Sequence, residues 1–449
     1  MNTEQMAQLG DWVKSINDIV WGWPLILFFI LVGLIATIAL NFIQFRYFFK
    51  AWRLVFARQE HVQEKGADMS PFQAFVNALS TSIGNGALAG MATAIHEGGP
   101  GAAFWIFILG FFSLPIRFCE VYLSNAFEGA GNTITSGGPM MYLKKVPGGV
   151  ILPAFYAFFC LMLSLISGNS IQANSVSKGL QFIAPVNPLI IAFIILAFVF
   201  YVMVGGASRV VKISEAVVPV KVGLFFVSAV IILGYHASGL LEALNIIVTS
   251  AFTPQAVRGA ILGTTMQSAI RFGMSRSLNA SEVGLGTAAV FFGSTGSKNP
   301  VDNGIMSMVS AFISNYVVCF VLCLIMVLTG VWNQDVTGIA MTTQAFGTVF
   351  GSIAGWLVTA LSIIFGIGVL VAYAYIGREC WSYLTGGRFI TFYNLLYCAF
   401  AFFGSLSSVP LVWNAVDIVN AGLVALNLYA ILMLMPLIAR GVKSYRQTH

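Results

Sequence analysis

Two glycine-broken apolar segments carry the residue types best suited to chemistry in this chain. The first reads Ser82-Ile-Gly-Asn-Gly-Ala-Leu-Ala-Gly90, and the second reads Phe272-Gly-Met-Ser-Arg-Ser-Leu-Asn-Ala-Ser-Glu-Val-Gly-Leu-Gly286. Glycine costs about 1 kcal/mol of helix propensity at each interior position. A helix broken inside lipid also exposes backbone polar groups, so a break persists only where protein or a polar cavity satisfies them. Matched breaks in the two halves of one chain point to a secondary transporter that holds its substrate between half-helices near the bilayer midplane. Backbone N–H groups at a half-helix start bind a carboxylate, helped by the helix dipole. Gly84, Gly86 and Ala87 are small enough to leave such amides open, and Asn85 lies among them. Unwound carbonyls around Phe272 and Gly273 could accept from an ammonium group. The plain alternative is that the glycines only allow helices to pack closely.

Other polar residues stand out against apolar surroundings. Gln172 offers two donors and one acceptor, and a polar side chain in lipid prefers the bundle interior. Asn169, Asn174 and Ser175 share its neighbourhood. Asn174 is two residues on, so it does not share a helix face with Gln172. Arg271, Arg276, Glu282, Arg117 and Glu120 are charges within expected spans, read as structural pairs or as a cytoplasmic salt-bridged gate. His96-Glu97 sits at the outer end of the second span, where a solvated helix end competes with a proton-coupling role.

These residues need a membrane scaffold, and the composition supplies one. Of 449 residues, 58% are hydrophobic and only 8% charged, against roughly 25% charged in soluble domains. The mean hydropathy is +0.88. The net charge of +6 resides mostly in short loops and gives no sign of a nucleic-acid partner. The six cysteines all fall in apolar segments and read as packing residues. No phosphate-loop motif, metal-ligand spacing or catalytic constellation is present, so neither a cofactor nor a metal is expected beyond a transported cation.

The chain reads as one all-α integral membrane domain, 1–449, with about eleven spans: 24–49, 71–96, 100–127, 150–182, 187–205, 213–235, 256–292, 303–331, 352–384, 389–407 and 412–439. An amphipathic helix is expected over 1–23, where acidic residues precede any apolar run and argue against a signal peptide. Span 24–49 is extra. Residues 71–235 and 256–439 then form a 5+5 inverted repeat, each unit starting with a discontinuous helix. Lys50, Arg53, Arg58, Lys65, Lys144, Lys145, Arg209, Lys212, Lys298, Arg378, Arg388, Arg440, Lys443 and Arg446 fall on one side of this alternation. That side is read as cytoplasmic, with the N-terminus outside and the C-terminus inside a plasma or inner membrane.

Several stretches resemble the alanine or glycine:cation symporter family, also called sodium:alanine symporters. They are Ala89-Gly-Met-Ala-Thr-Ala-Ile95 with Gly98-Gly-Pro-Gly-Ala-Ala-Phe-Trp105, Gly168-Asn-Ser-Ile-Gln-Ala-Asn-Ser-Val176, and Gly205-Gly-Ala-Ser-Arg-Val-Val-Lys212 through Pro219. Glu282 with Gly284-Leu-Gly286, and Asp417 through Asn427, continue the match in order. The resemblance implies a LeuT-type fold and uptake of small neutral amino acids such as alanine and glycine, driven by sodium. It implies Gln172 at the substrate site. It also implies a cation beside the second and ninth spans, where Ser82, Asn85, Ser362 and Gly368 are candidates. Three departures mark a diverged member. Gly84-Asn-Gly-Ala87 stands for the usual Gly-Thr-Gly-Asn, Ala280-Ser-Glu-Val-Gly284 for Ser-Asn-Glu-Ala-Gly, and Gly368-Val369 for paired threonines. Hydroxyls are hard donors suited to sodium, so their loss leaves proton coupling as an alternative. A sensor or membrane enzyme on a transporter scaffold is the rival from another class. A sensor should carry an extra signalling domain, and an enzyme should show convergent titratable groups near the midplane.

Overall fold

The computed structural model describes residues 20–57, 61–127, 137–183, 186–252, 266–297, 299–407 and 410–448, which are helical with no strand among them. Most of the amphipathic helix expected over 1–23 lies outside these residues, as does the expected start of the seventh span, 256–265. A helix meets its own backbone hydrogen bonds, which lipid requires, and six helical runs among the described residues are long and apolar enough to cross a membrane.

The first helix, α1 (Trp23–Ala39), precedes a short amphipathic α2 (Phe48–Val55). The expected second span is two helices. α3 (Pro71–Ser82) opens on a capping box, in which Ser70 Oγ accepts from Gln73 N and Gln73 Oε1 from Ser70 N, with proline at the first helical position. It stops where Ile83 turns to φ −119°, ψ 84°. Gly84 is extended, at φ −127°, and α4 (Asn85–Gly98) follows with no side-chain cap. Next comes α5 (Gly101–Ala126). α6 (Leu152–Leu165) passes through a wider π-helical turn, Ile166–Ile171, into α7 (Gln172–Ile183). The spans expected at 187–205 and 213–235 form one bent run, α8 (Pro188–Tyr235), turned at Gly206 with φ +59°.

The second broken helix is α10 (Met266–Ser281) and α11 (Thr287–Phe292), following the short α9 (Leu240–Ser250). Its break is not at Phe272-Gly273, which lie inside α10, but at 282–286. There Glu282, Gly284 and Gly286 take φ of +58°, +89° and +79°. α12 (Pro300–Phe312) continues through a second π-helical turn, Ile313–Phe320, into α13 (Val321–Leu328). α14 (Gly338–Phe350), α15 (Ala354–Thr385), α16 (Ile390–Leu406) and α17 (Pro410–Thr448) complete the chain. Like α9, α14 falls in a segment expected to be a connection.

Close backbone approach explains several glycines. A Cβ on Gly98 would lie 3.2 Å from Ala269 Cα, and one on Gly273 would lie 2.7 Å from the Ala102 carbonyl oxygen. α4, α10 and α5 are thus locked together through glycine, as small-residue packing in membranes requires. On the outside, α8 exposes Phe193, Ile194, Phe200, Val227 and Ile231, an apolar face that lipid would cover. The six cysteines are buried and unbridged, as packing residues would be.

Candidate functional site

The two breaks meet at one small cavity of about 30 Å³. Thr81, Gly84, Gly86 and Gly90 line it from α3 and α4, and Ser167 and Gln172 from the π-helical turn and α7. Arg276, Asn279, Ala280 and Glu282 come from α10 and the second break, Val369 from α15, and Val416 and Asn420 from α17. The uncapped N-terminus of α4 and the C-terminal turn of α10 face each other across it. A Cβ on Gly86 would have the Asn279 carbonyl oxygen as its nearest neighbour, 3.9 Å away. A helix N-terminus carries partial positive charge and a C-terminus partial negative charge. The cavity is therefore bounded by opposite electrostatic poles.

Gln172 spans the inner wall. Its Oε1 accepts from Asn85 Nδ2 at 3.2 Å, and its Nε2 donates to the Ser167 carbonyl at 3.1 Å. Asn85 Nδ2 also donates to the Ser362 carbonyl at 3.1 Å, so Ser362 contributes its backbone to this contact. Asn85 Oδ1 is buried with no partner. Glu282 is 5% exposed, its two oxygens accepting from Tyr373 Oη at 2.6 Å and Thr287 Oγ1 at 2.9 Å. Its left-handed φ is uncommon for a residue with a side chain and is a form of strain found at functional sites.

Above Glu282, Asp417 binds Arg276 through both guanidinium nitrogens at 3.2 and 3.1 Å. Asn279 Nδ2 donates to Asp417 at 2.5 Å, and Asn420 Nδ2 donates to Asn279 Oδ1 at 2.8 Å. This network ties α10 to α17 across one side of the cavity. The second break itself is satisfied internally. Glu120 Oε1 accepts from the amides of Gly284 at 2.8 Å and Gly286 at 3.2 Å, and from Asn427 Nδ2 at 2.7 Å. Arg117 donates to the Ser281 carbonyl at 3.0 Å and pairs with Glu120 at 3.3 Å. Arg276 with Asp417 and Arg117 with Glu120 thus form two separate clusters.

The residues singled out by sequence divide accordingly. Gly84, Gly86 and Gln172 line the cavity, and Asn85 stands behind it on Gln172. Ala87 is buried one residue deeper, its amide donating to the Gly84 carbonyl at 2.9 Å. Asn174 turns away, its Nδ2 donating to the carbonyls of Gly404 at 3.2 Å and Ser407 at 2.6 Å, which ties α7 to α16. Phe272 and Gly273 do not line the cavity, because Gly273 is spent on packing against Ala102 and Trp105. Ser82 Oγ bonds back to the Ala78 carbonyl at 2.7 Å, while Gly368 O accepts from Ser80 Oγ at 2.9 Å. Thr81, Asn279 and Asn420 were not singled out. Buried polar residues on otherwise apolar helices are the signal that could have found them.

Broken helices that meet around a small polar cavity within a multi-pass helical bundle define a secondary transporter of the LeuT type. The family model described as the sodium:alanine symporter family matches residues 6–449, and the chain belongs to that family. An uncharacterised transporter of Haemophilus influenzae is 31% identical over 441 residues, covering 97% of this chain and 96% of its own. The sodium/alanine symporter AgcS of Methanococcus maripaludis is 30% identical over 444 residues, covering 97% of each. Among solved structures, a Na⁺-coupled sialic acid symporter in a substrate-bound outward-open state aligns with TM-score 0.58 at 13% identity. That alignment covers 93% of this chain and 86% of the other, and it shows the shared fold. The family consists of symporters, so the protein is a membrane transporter and not an enzyme.

Gln172→Ala removes the bond to Asn85 and a polar group from the cavity wall. It is expected to weaken amino-acid uptake several-fold at equal membrane expression. Asn174→Ala should leave uptake affinity unchanged. The comparison is read from the concentration dependence of uptake, and the reverse ranking would move the site to the α7–α16 face.

Proposed function

We propose that this protein takes up small neutral amino acids, alanine or glycine, by symport with a monovalent cation. The observation that carries this reading is the pair of opposed half-helix ends at one small cavity. The backbone amides at the start of α4, at Gly84 and Gly86, would hold the carboxylate. The last turn of α10 and the Glu282 carboxylate would hold the ammonium. Ala280, Val369 and Val416 would leave room for only a short side chain between them. Opening and closing the Arg276–Asp417 network would gate one side, with the Arg117–Glu120 cluster holding the second break rigid as the bundles rock.

The deciding experiment is uptake of labelled alanine into proteoliposomes, with sodium and proton gradients imposed separately. Saturable, gradient-driven accumulation with counterflow supports the symporter. Flux without saturation or counterflow would mean a channel, and binding without flux would mean a sensor.

We read the orientation, N-terminus outside and C-terminus cytoplasmic, from the lysine and arginine distribution. Lys50, Asp302 and Tyr445, from three segments assigned to one side, meet in a single cluster in which Lys50 pairs with Asp302 at 3.0 Å. This supports the alternation of segments. Gln63→Cys should react with an impermeant thiol reagent only from inside, and Asp335→Cys only from outside, in a cysteine-free background. The opposite pattern would invert the assignment.

A further inference from the structure

The sixth expected span carries one lysine that no sequence motif singled out. Lys221, on the second half of α8, is fully buried, and no carboxylate lies within ion-pair distance of it among the described residues. Its ammonium donates to the Ser80 carbonyl at 2.7 Å and to the Ile83 carbonyl at 2.8 Å. Both oxygens belong to the end of α3, where the first break removes the amides that would otherwise have taken them. A helix C-terminus also favours a cation. The Phe365 ring lies 5.9 Å from the ammonium, within range of a cation–π contact. The acidic group whose field reaches the ammonium is Glu282, which is already bonded to Tyr373 and Thr287.

Gly368 closes this site from α15. A Cβ there would lie 2.9 Å from Lys221 Nζ and 3.0 Å from Ser80 Oγ. A threonine at 368 and the ammonium of Lys221 therefore compete for the same space. In discontinuous-helix transporters, unwound carbonyls and half-helix C-termini are the groups that coordinate a transported cation. The first break offers such carbonyls, and a side-chain cation already sits on them at ordinary N–H···O distances.

We propose that the Lys221 ammonium is a resident cation. It fills the place between the broken second span and the ninth span that a free sodium ion would take, so substrate binding needs no sodium there. The proposal rests on the symporter reading and assigns this site to a side chain instead of to the transported cation.

The test uses the full chain purified in detergent and compares wild type, Lys221→Ala and Lys221→Met. Sodium-22 binding is measured directly, and alanine binding is measured in sodium and in choline at equal ionic strength. Wild-type alanine affinity should be the same in both salts. Lys221→Ala opens the space and should gain saturable sodium binding. Its alanine affinity should become sodium-dependent by about ten-fold or more, within the usual range of ligand coupling. Lys221→Met keeps the bulk without the charge and should bind alanine weakly in either salt. Sodium-dependent alanine binding in wild type, or sodium binding identical in wild type and Lys221→Ala, overturns the proposal. If Lys221→Ala does not fold, Gly368→Thr decides. A Cβ there already lies 2.9 Å from Lys221 Nζ, and the added hydroxyl and methyl leave the ammonium no room, so unchanged alanine affinity and melting temperature would also overturn the proposal. Should the wild type bind no alanine, the substrate reading fails, while the sodium-22 comparison still decides the role of Lys221.

Discussion

Gly86→Val abolishes alanine binding to the purified protein while leaving its melting temperature close to that of wild type. Gly86 sits in the first turn of α4, in ordinary helical geometry, so glycine's conformational freedom is not needed there. Space is what matters. A Cβ at 86 meets nothing nearer than the Asn279 carbonyl oxygen at 3.9 Å, so it enters the cavity instead of the packed interior. Valine adds two further methyl groups directly between the opposed helix ends. Overpacking a filled site costs about 1–3 kcal/mol when neighbours can shift, and more against fixed backbone. A loss of about 100-fold or more is therefore expected, which is ~2.7 kcal/mol or above. Gly110→Val should do the opposite. Its Cβ would lie 2.8 Å from the Tyr316 ring, so it should lower the melting temperature while the folded fraction binds alanine normally. Normal affinity in Gly86→Val would show that the cavity does not hold the substrate.

The second large effect concerns stability. Glu120→Leu should destabilise the protein by about 3–5 kcal/mol, the usual cost of stranding one partner of a buried pair. Glu120 and Arg117 have fully buried side chains. Glu120 also takes the backbone amides of Gly284 and Gly286, which lose their acceptor with it, and one bond from Asn427 Nδ2, which keeps the Gly284 carbonyl at 2.9 Å. The double variant Arg117→Leu/Glu120→Leu should recover part of the loss, because it removes the stranded guanidinium. Thermal unfolding in detergent reads both. A Glu120→Leu protein as stable as wild type would mean that the second break is held by packing alone.

Much of this architecture was legible in the residues, and the failures have a common cause. Glycine in a membrane helix signals either a break or a close contact, and its spacing alone does not say which. At Gly84 and Gly86 the break reading coincides with the structure. At Gly273 the glycine serves packing, and the second break falls instead at Glu282, Gly284 and Gly286, where three left-handed residues unwind the chain. Gln172 was legible because a lone amide on an apolar helix needs a partner. Asn174 carried the same signal, and only the position of α16 decides that its partners are the carbonyls of Gly404 and Ser407. Lys221 was hidden for the converse reason. Its partners are backbone oxygens, which every residue has, so no motif advertises them.

The π-helical turns at Ile166–Ile171 and Ile313–Phe320 each amount to one residue inserted into an otherwise regular helix. One residue is about 100° of rotation about a helix axis. The turn before Gln172 thus works as a phase shift. It lets α6 keep its packing face toward α15 and α17 while α7 presents a different face to the cavity. Side chains that grip the bundle and side chains that line the cavity then lie on one span without sharing one helical register. Such a span can change what it presents to the cavity without repacking the half that anchors it.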